Sequence, residues 1–304
     1  MRKLVKPVAP PKSAKSNFDM GFAALALGVV LVSAGGAMAA PSILSLVGGF
    51  STPSVRPIET VVAGLNRDAA KAALAAEAFP DKHGRAFMTA LADKFPDDHD
   101  RLLGNLADTA MRGGDRDELN LTVNTWLIDF GPRNVSALGR TGSKGFDQVL
   151  TIASEGLDLL ENTGDGNCTL KSLEKLVSDP SALTELAAYG TKAYDFNMKT
   201  YRTLVDLAAD GRNAPPPETT LQPQDERAVQ NAFFSMLRDP QVISLMEMAT
   251  SGRGGQEEMA SKINVCALGR TVVVKLKGLP TGTKARLWAN ALQQAGVQGR
   301  LGKL

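Results

Sequence analysis

Glu161 to Glu174 (ENTGDGNCTLKSLE) is the stretch of this chain whose residue types come nearest to a chemical site. Oxygen donors spaced along a Gly-containing loop between two helical stretches are what a calcium ion needs. Two registers of the twelve-residue calcium loop fit in part. Begun at Glu161, the loop has Asp165 and Gly166 where they belong, but Thr163 and Asn167 at two other ligand positions and Ser172 where a bidentate Glu must stand. Begun at Thr163, it has Asp165, Asn167 and Glu174 in place, but Thr at the first position and Cys168 where Gly is obligatory. Each register loses essential oxygens, so the stretch reads as a Gly-rich turn between helices, with Thr169 as the N-cap of the second helix.

Histidine is limited to His83 and His99, and neither has zinc-ligand spacing. His99 sits among Asp97, Asp98 and Asp100, a set that could hold a metal. Acidic residues just before Leu102 are also what a helix N-terminus favours, and that is the expectation here. Glu155, Glu161, Glu174 and Glu185 could supply the paired carboxylates of an envelope hydrolase, but no spacing selects a pair. Nucleophile-elbow, Walker and dinucleotide glycine patterns do not occur. The sequence therefore nominates no catalytic residue, no cofactor and no metal.

The elements that would position any site are helical. Aromatics make up 5% of the chain while Ala and Leu are abundant, a balance that favours helices over strands. Phe146, Val149, Leu150, Ala153, Leu157 and Leu160 repeat at helical period, as do Tyr194, Met198, Tyr201, Val205 and Ala208. Val229, Ala232, Phe233, Met236 and Leu237 form a third stripe, and Leu102, Leu103, Leu106, Ala107, Ala110 and Met111 a looser fourth. Each stripe reads as core. Methionines 236, 246, 248 and 259 could instead line a ligand groove. Asp179-Pro180 and Asp239-Pro240 predict helix starts; Gly113-Gly114, Gly131-Pro132, Gly190, Gly211 and Gly254-Gly255 predict stops. Thr271 to Val274 is the best strand candidate, but with no second strand to pair it is expected to continue a helix. The fold class is all-α, a bundle or array of about ten short helices.

Two cysteines, Cys168 and Cys266, are too far apart in sequence for a metal pair or a redox motif. Their even number in an exported chain predicts one disulfide. Export itself is read from the N-terminus. Arg2, Lys3, Lys6, Lys12 and Lys15 precede an uncharged stretch from Met20 to Val55, with the apolar run FAALALGVVLV directly behind the leader. Ala37-Met38-Ala39 followed by Ala40 makes a signal-peptidase site between Ala39 and Ala40. Without cleavage, residues 20–49 would anchor the chain in the inner membrane, with the rest facing the periplasm.

The organisation expected is a leader with signal peptide or anchor at residues 1–50 and an acidic helical domain at 51–212. A Pro-rich linker at 213–223 comes next, then a helical part with a basic surface at 224–296 and a tail at 297–304. The disulfide would tie the two helical parts across the linker. Net charge is +2, but residues 259–304 hold eight basic side chains and no acid, against 31 acidic and 21 basic residues from 20 to 258. That basic segment either docks on the acidic body or presents Lys275, Lys277, Lys284 and Arg286 to anionic lipid or an acidic protein. Nucleic acid is not expected outside the cytoplasm. The function expected is that of an accessory or scaffold component of a bacterial envelope assembly. The alternatives are an envelope hydrolase and a helical small-ligand binder.

Overall fold

The computed structural model describes residues 56–163, 168–173, 188–250 and 258–301, which are mostly helical and contain no strand. Residues 1–50, with the cleavage site Ala39 and Ala40 and the 20–49 apolar stretch, lie outside the described residues. So do Asp165, Gly166, Asn167, Glu174, Asp179-Pro180, Glu185 and Gly254-Gly255.

Five helices succeed one another through tight turns: α1 (Ile58–Val62), α2 (Arg67–Glu77), α3 (Lys82–Lys94), α4 (Pro96–Met111) and α5 (Arg116–Arg140). Their starts are set by side chains that pair backbone N–H groups for which the helix has no acceptor. Asn66 Oδ1 accepts from Ala69 N at 2.9 Å, Asp81 Oδ1 from His83 N and Gly84 N at 2.8 Å, and Asp115 Oδ1 from Asp117 N and Glu118 N at 3.0 Å. Gly113, just beyond α4, has φ 90°, a conformation that stops a helix and suits glycine.

Gly131-Pro132 does not stop a helix as its residue types predict; α5 runs through it. Proline removes one backbone donor and crowds the carbonyl of Ile128, but the residues around it are held on both sides. Arg133 Nε donates to Asp129 O at 3.1 Å and Asn134 Nδ2 to Phe130 O at 2.9 Å, while the Arg133 guanidinium also reaches Asp98 of α4 at 2.8 Å. Buried Phe130 and Leu138 anchor the helix before and after the proline.

After α6 (Gly142–Thr163) come α7 (Lys192–Arg212), α8 (Pro223–Met236), α9 (Pro240–Thr250), α10 (Val265–Lys277) and α11 (Thr281–Leu301). Thr271 to Val274 lies within α10, as a lone β-prone run without a partner strand should, and α11 continues into the stretch read as a tail. The Asp239-Pro240 start is observed: Asp239 Oδ1 accepts from Gln241 N at 2.8 Å. Thr169 Oγ1 accepts from Ser172 N at 3.1 Å, the N-cap expected of it.

Two hydrophobic clusters organise these helices. The first joins α1 to α5 with α7, whose Tyr194, Met198, Tyr201, Val205 and Ala208 are all buried. Phe87 meets both Trp126 and Tyr201 edge-on, and Trp126 stacks on Phe130 with centroids 4.7 Å apart. A Cβ on Gly211 would strike the carbonyl of Ala137, so α7 can lie this close to α5 only with glycine there. The second cluster joins α6 with α8, α10 and α11 around Phe146, Leu150, Leu157, Val273 and Trp288, and takes in Val242 of α9. Leu292 of α11 packs against both clusters, and Trp288 Nε1 donates to Leu138 O of α5 at 2.8 Å. The two clusters do not divide at the Pro-rich segment: α6, before it, packs with the helices beyond it.

That segment crosses the surface. Arg140 donates to Ala214 O at 3.5 Å, Asn290 Nδ2 to Thr219 O at 3.1 Å, and Leu221 packs on the second cluster. Cys168 and Cys266 stand at disulfide distance, Cα atoms 5.7 Å apart, at a sequence separation of 98. Backbone bonds flank the pair: Val265 N donates to Cys168 O at 2.7 Å and Leu170 N to Ile263 O at 3.1 Å.

Candidate functional site

Among the described residues, the acidic side chains singled out for chemistry are engaged in ion pairs or helix starts. Glu155 accepts from Lys199 of α7 at 2.8 Å, and Glu161 and Asp158 share Arg270 of α10. Asp97 and Asp98 occupy the first turn of α4; Asp98 meets Arg101 at 3.3 Å and Arg133 at 2.8 Å, and Asp100 meets Lys71. Partial burial pulls the His99 imidazole below its ordinary pKa. Among the described residues no group of three His, Cys, Asp or Glu is placed to hold a metal.

The basic residues near the C-terminus divide sharply. Lys284, buried in α11, donates to both carboxylate oxygens of Asp147 on α6, at 2.9 and 2.8 Å. Arg286 grips Asp225 of α8 at 2.7 and 2.8 Å and reaches Glu218 at 3.3 Å. Asp225, fully buried, also accepts from Thr283 Oγ1 at 2.6 Å and from Gln222 N at 2.9 Å. These donors, Arg286 foremost, hold its carboxyl well below the usual range. Lys262 pairs with Glu258 one turn away, and Arg270 with Asp158 and Glu161. Lys275 and Lys277, in the last turn of α10, have no ion pair among the described residues. Of the four residues nominated as a basic interaction surface, Lys284 and Arg286 are thus bound inside the fold, while Lys275 and Lys277 face outward. Sequence spacing could not separate them, because the carboxylates involved lie 61 residues away for Arg286 and 137 for Lys284.

Lys275 lines a shallow groove between α8 and the end of α10. Its other walls are Ala228, Asn231 and Ala232 of α8 with Val274, Gly278, Leu279 and Pro280. The volume is about 530 Å³, mostly apolar and open to solvent over most of its extent. Large apolar side chains stand in solvent on α8, α9 and α10: Phe234 is 60% exposed, Ile243 43%, Met246 51% and Val274 65%. On α4 and α5 Met111, Leu121 and Ile128 are exposed as well, at 47%, 37% and 45%. Of the methionines considered as a ligand-groove lining, Met236 is core, Met248 packs against the core's margin and Met246 is out in solvent.

Of these residues Lys275 was nominated from sequence; Phe234, Ile243 and the apolar walls of the groove were not. A signal for Phe234 exists: it falls outside the stripe of Val229, Ala232, Phe233, Met236 and Leu237, about 100° beyond Phe233 on the helix. The groove has no such signal, since its walls come from helices brought together only by folding. Comparison with protein-family models, curated proteins and solved structures finds no match.

Proposed function

We propose that this chain is an exported helical binding protein, an accessory or scaffold component of a bacterial envelope assembly. Its working face in this reading is the open side of the second cluster. The carrying observation is the exposure of Phe234, Ile243, Met246 and Val274 on neighbouring helices of one half of the molecule. Isolated exposed apolar residues are ordinary; several on helices that pack together favour a partner that covers them. Export is supported by the basic leader, the apolar run and the small residues before Ala40, and a cysteine pair at disulfide distance is compatible with an oxidising compartment. Residues 20–49 are then either removed after Ala39 or kept as an inner-membrane anchor.

The test joins topology to contact. A reporter active only in the periplasm, fused after Leu304, is expected to be active in a bacterial host. A photo-reactive amino acid at position 234 is expected to cross-link to another macromolecule in intact cells. The same group at position 128, exposed on the first cluster, is expected to give none. A reporter active only in the cytoplasm, or equal behaviour at the two positions, overturns the proposal.

A further inference from the structure

The exposed apolar side chains on α8 and α10 stand among cations, and those on α5 among acids. On α8, Arg227, Asn231 and Phe234 are all exposed and fall at i, i+4 and i+7, one face of the helix; exposed Arg238 follows in the turn just after it. Phe234 therefore stands between two arginines. Asn231 also lines the shallow groove with Val274 and Lys275, so this row and the outer face of α10 lie side by side. Val274, 65% exposed, is followed by Lys275 and exposed Lys277. Arg227, Arg238, Lys275 and Lys277 are in no ion pair among the described residues, whereas Arg270, Lys284 and Arg286 are held by carboxylates of this chain.

Of the acids nearby, Asp225 is bound by Arg286, and Asp239 accepts from Thr271 Oγ1 and Gln241 N. Glu226 lies about 80° round α8 from Phe234, and Glu247 is exposed on α9. On α5 the balance is the reverse. Leu121 and Ile128, seven positions apart, share one face, and the charged side chains nearest them in sequence are Asp117, Glu118 and Asp129.

Resting on the binding reading above, we propose that the outer face of α8 and α10 docks on an anionic phospholipid bilayer. Phe234 and Val274 enter the boundary between headgroups and acyl chains, and Arg227, Arg238, Lys275 and Lys277 meet the phosphates. Binding of this kind draws jointly on buried apolar area and on attraction between basic side chains and anionic lipid. The cations named reach the lower end of the about four to eight that such recognition uses. A bilayer is flat, and so is the surface it covers here: the groove between the two helices is shallow and open to solvent over most of its extent. The assembly is then met at the membrane, where a group at position 234 reaches lipid and membrane protein alike.

The photo-reactive amino acid at position 234 of the full chain, irradiated with vesicles of phosphatidylglycerol and phosphatidylcholine in equal parts, is expected to form a lipid adduct, read by mass spectrometry. The yield should fall as salt is raised, and vesicles of phosphatidylcholine alone should give about tenfold less. At position 128 no adduct is expected, because the acids beside it are repelled by the anionic surface. A chain that keeps residues 20–49 reaches the vesicle through them, so the contrast between the two positions, and not binding itself, is the measure. The variant with Arg227, Arg238, Lys275 and Lys277 all changed to Gln breaks no ion pair among the described residues and should melt as the parent does. Its adduct yield at position 234 is expected to fall about tenfold or more. Equal yields at positions 234 and 128, equal yields with and without phosphatidylglycerol, or a Gln variant that labels as the parent does overturn the proposal. Binding of a polyglutamate peptide that the Gln variant abolishes, with no lipid adduct at position 234, assigns the cations to an acidic protein and overturns it also. A protein cross-link at position 234 in cells that survives such a result leaves the broader reading standing. A lipid adduct there without any cross-link to a macromolecule removes the broader reading alone.

Discussion

The two clusters are built from one helical vocabulary and finished differently. Among the described residues the first holds 29 buried side chains with 5 partly buried ones packed against it; the second holds 16 with 12. The first is therefore sealed and the second has a broad half-covered margin. Aromatic rings account for much of the difference. Phe79, Phe87, Phe95, Trp126, Phe130, Tyr189, Tyr194 and Tyr201 fill the first cluster, whereas Phe146 and Trp288 are the buried rings of the second. In place of bulk the second cluster has ties: the cysteine pair, the Arg270 bridge to Glu161 and Asp158, and the Lys284–Asp147 and Arg286–Asp225 pairs. Both clusters leave large apolar side chains in solvent, Met111, Leu121 and Ile128 on the helices of the first and Phe234, Ile243, Met246 and Val274 on those of the second.

The largest expected effect comes from cutting the covalent tie. Cys168→Ser with Cys266→Ser frees a loop spanning 98 residues of sequence. It is expected to cost about 4–5 kcal/mol in the chain-entropy model. Hydrogen exchange should show the loss in α9 and α10 with the first cluster little changed; uniform loss would make the two clusters one cooperative body. Next, Leu106→Ala in the sealed cluster should cost about 3 kcal/mol or more, because its neighbours cannot close over the cavity. Phe233→Ala at the open margin should cost nearer about 1 kcal/mol despite the larger side chain. Equal losses in chemical denaturation would remove the contrast between the clusters.

A pH titration sharpens the comparison further. The Asp225 carboxyl is held below its ordinary value, so it contributes stability that is present above the unfolded carboxylate pKa of about 3.9. That contribution is lost as pH falls toward the folded value. Asp225→Asn is therefore expected to lower the melting temperature at neutral pH, with the difference from the parent shrinking below about pH 4. A constant difference across that range would mean that shape, not charge, is what Asp225 supplies. The smallest effect is expected at the surface. Phe234→Ser and Ile243→Ser should change stability by no more than about 0.5 kcal/mol while weakening the cross-link at the open face. A large fall in stability would place these side chains in the fold rather than in an interface.

Much of the local structure is legible in the residues themselves. The stripes through Leu150 and Tyr201 are buried as their period predicts, and Asp239 and Thr169 cap helices as their residue types predict. Met111, the last residue of its stripe, points into solvent because it falls off the face that buries Leu102 and Leu106, and α5 continues through Gly131-Pro132 because contacts to α4 and the core offset the roughly 3 kcal/mol that proline costs inside a helix. The groove is not legible at all, and the basic segment only as a total of charge.

Period and capping are properties of a few neighbouring residues, so the sequence by itself determined which face of each helix is apolar, where most helices begin, and that two cysteines were available to pair. It did not determine that α6 belongs with α10 and α11, or that α7 fits between α3 and α5. Those choices depend on which ridged surfaces interlock once many helices compete for the same partners, a comparison made in three dimensions. The same holds for the cations. A lysine's residue type says that it is charged, but only the packing of α11 against α6 brings Asp147 to Lys284, and only the lack of such a neighbour among the described residues leaves Lys275 and Lys277 facing water.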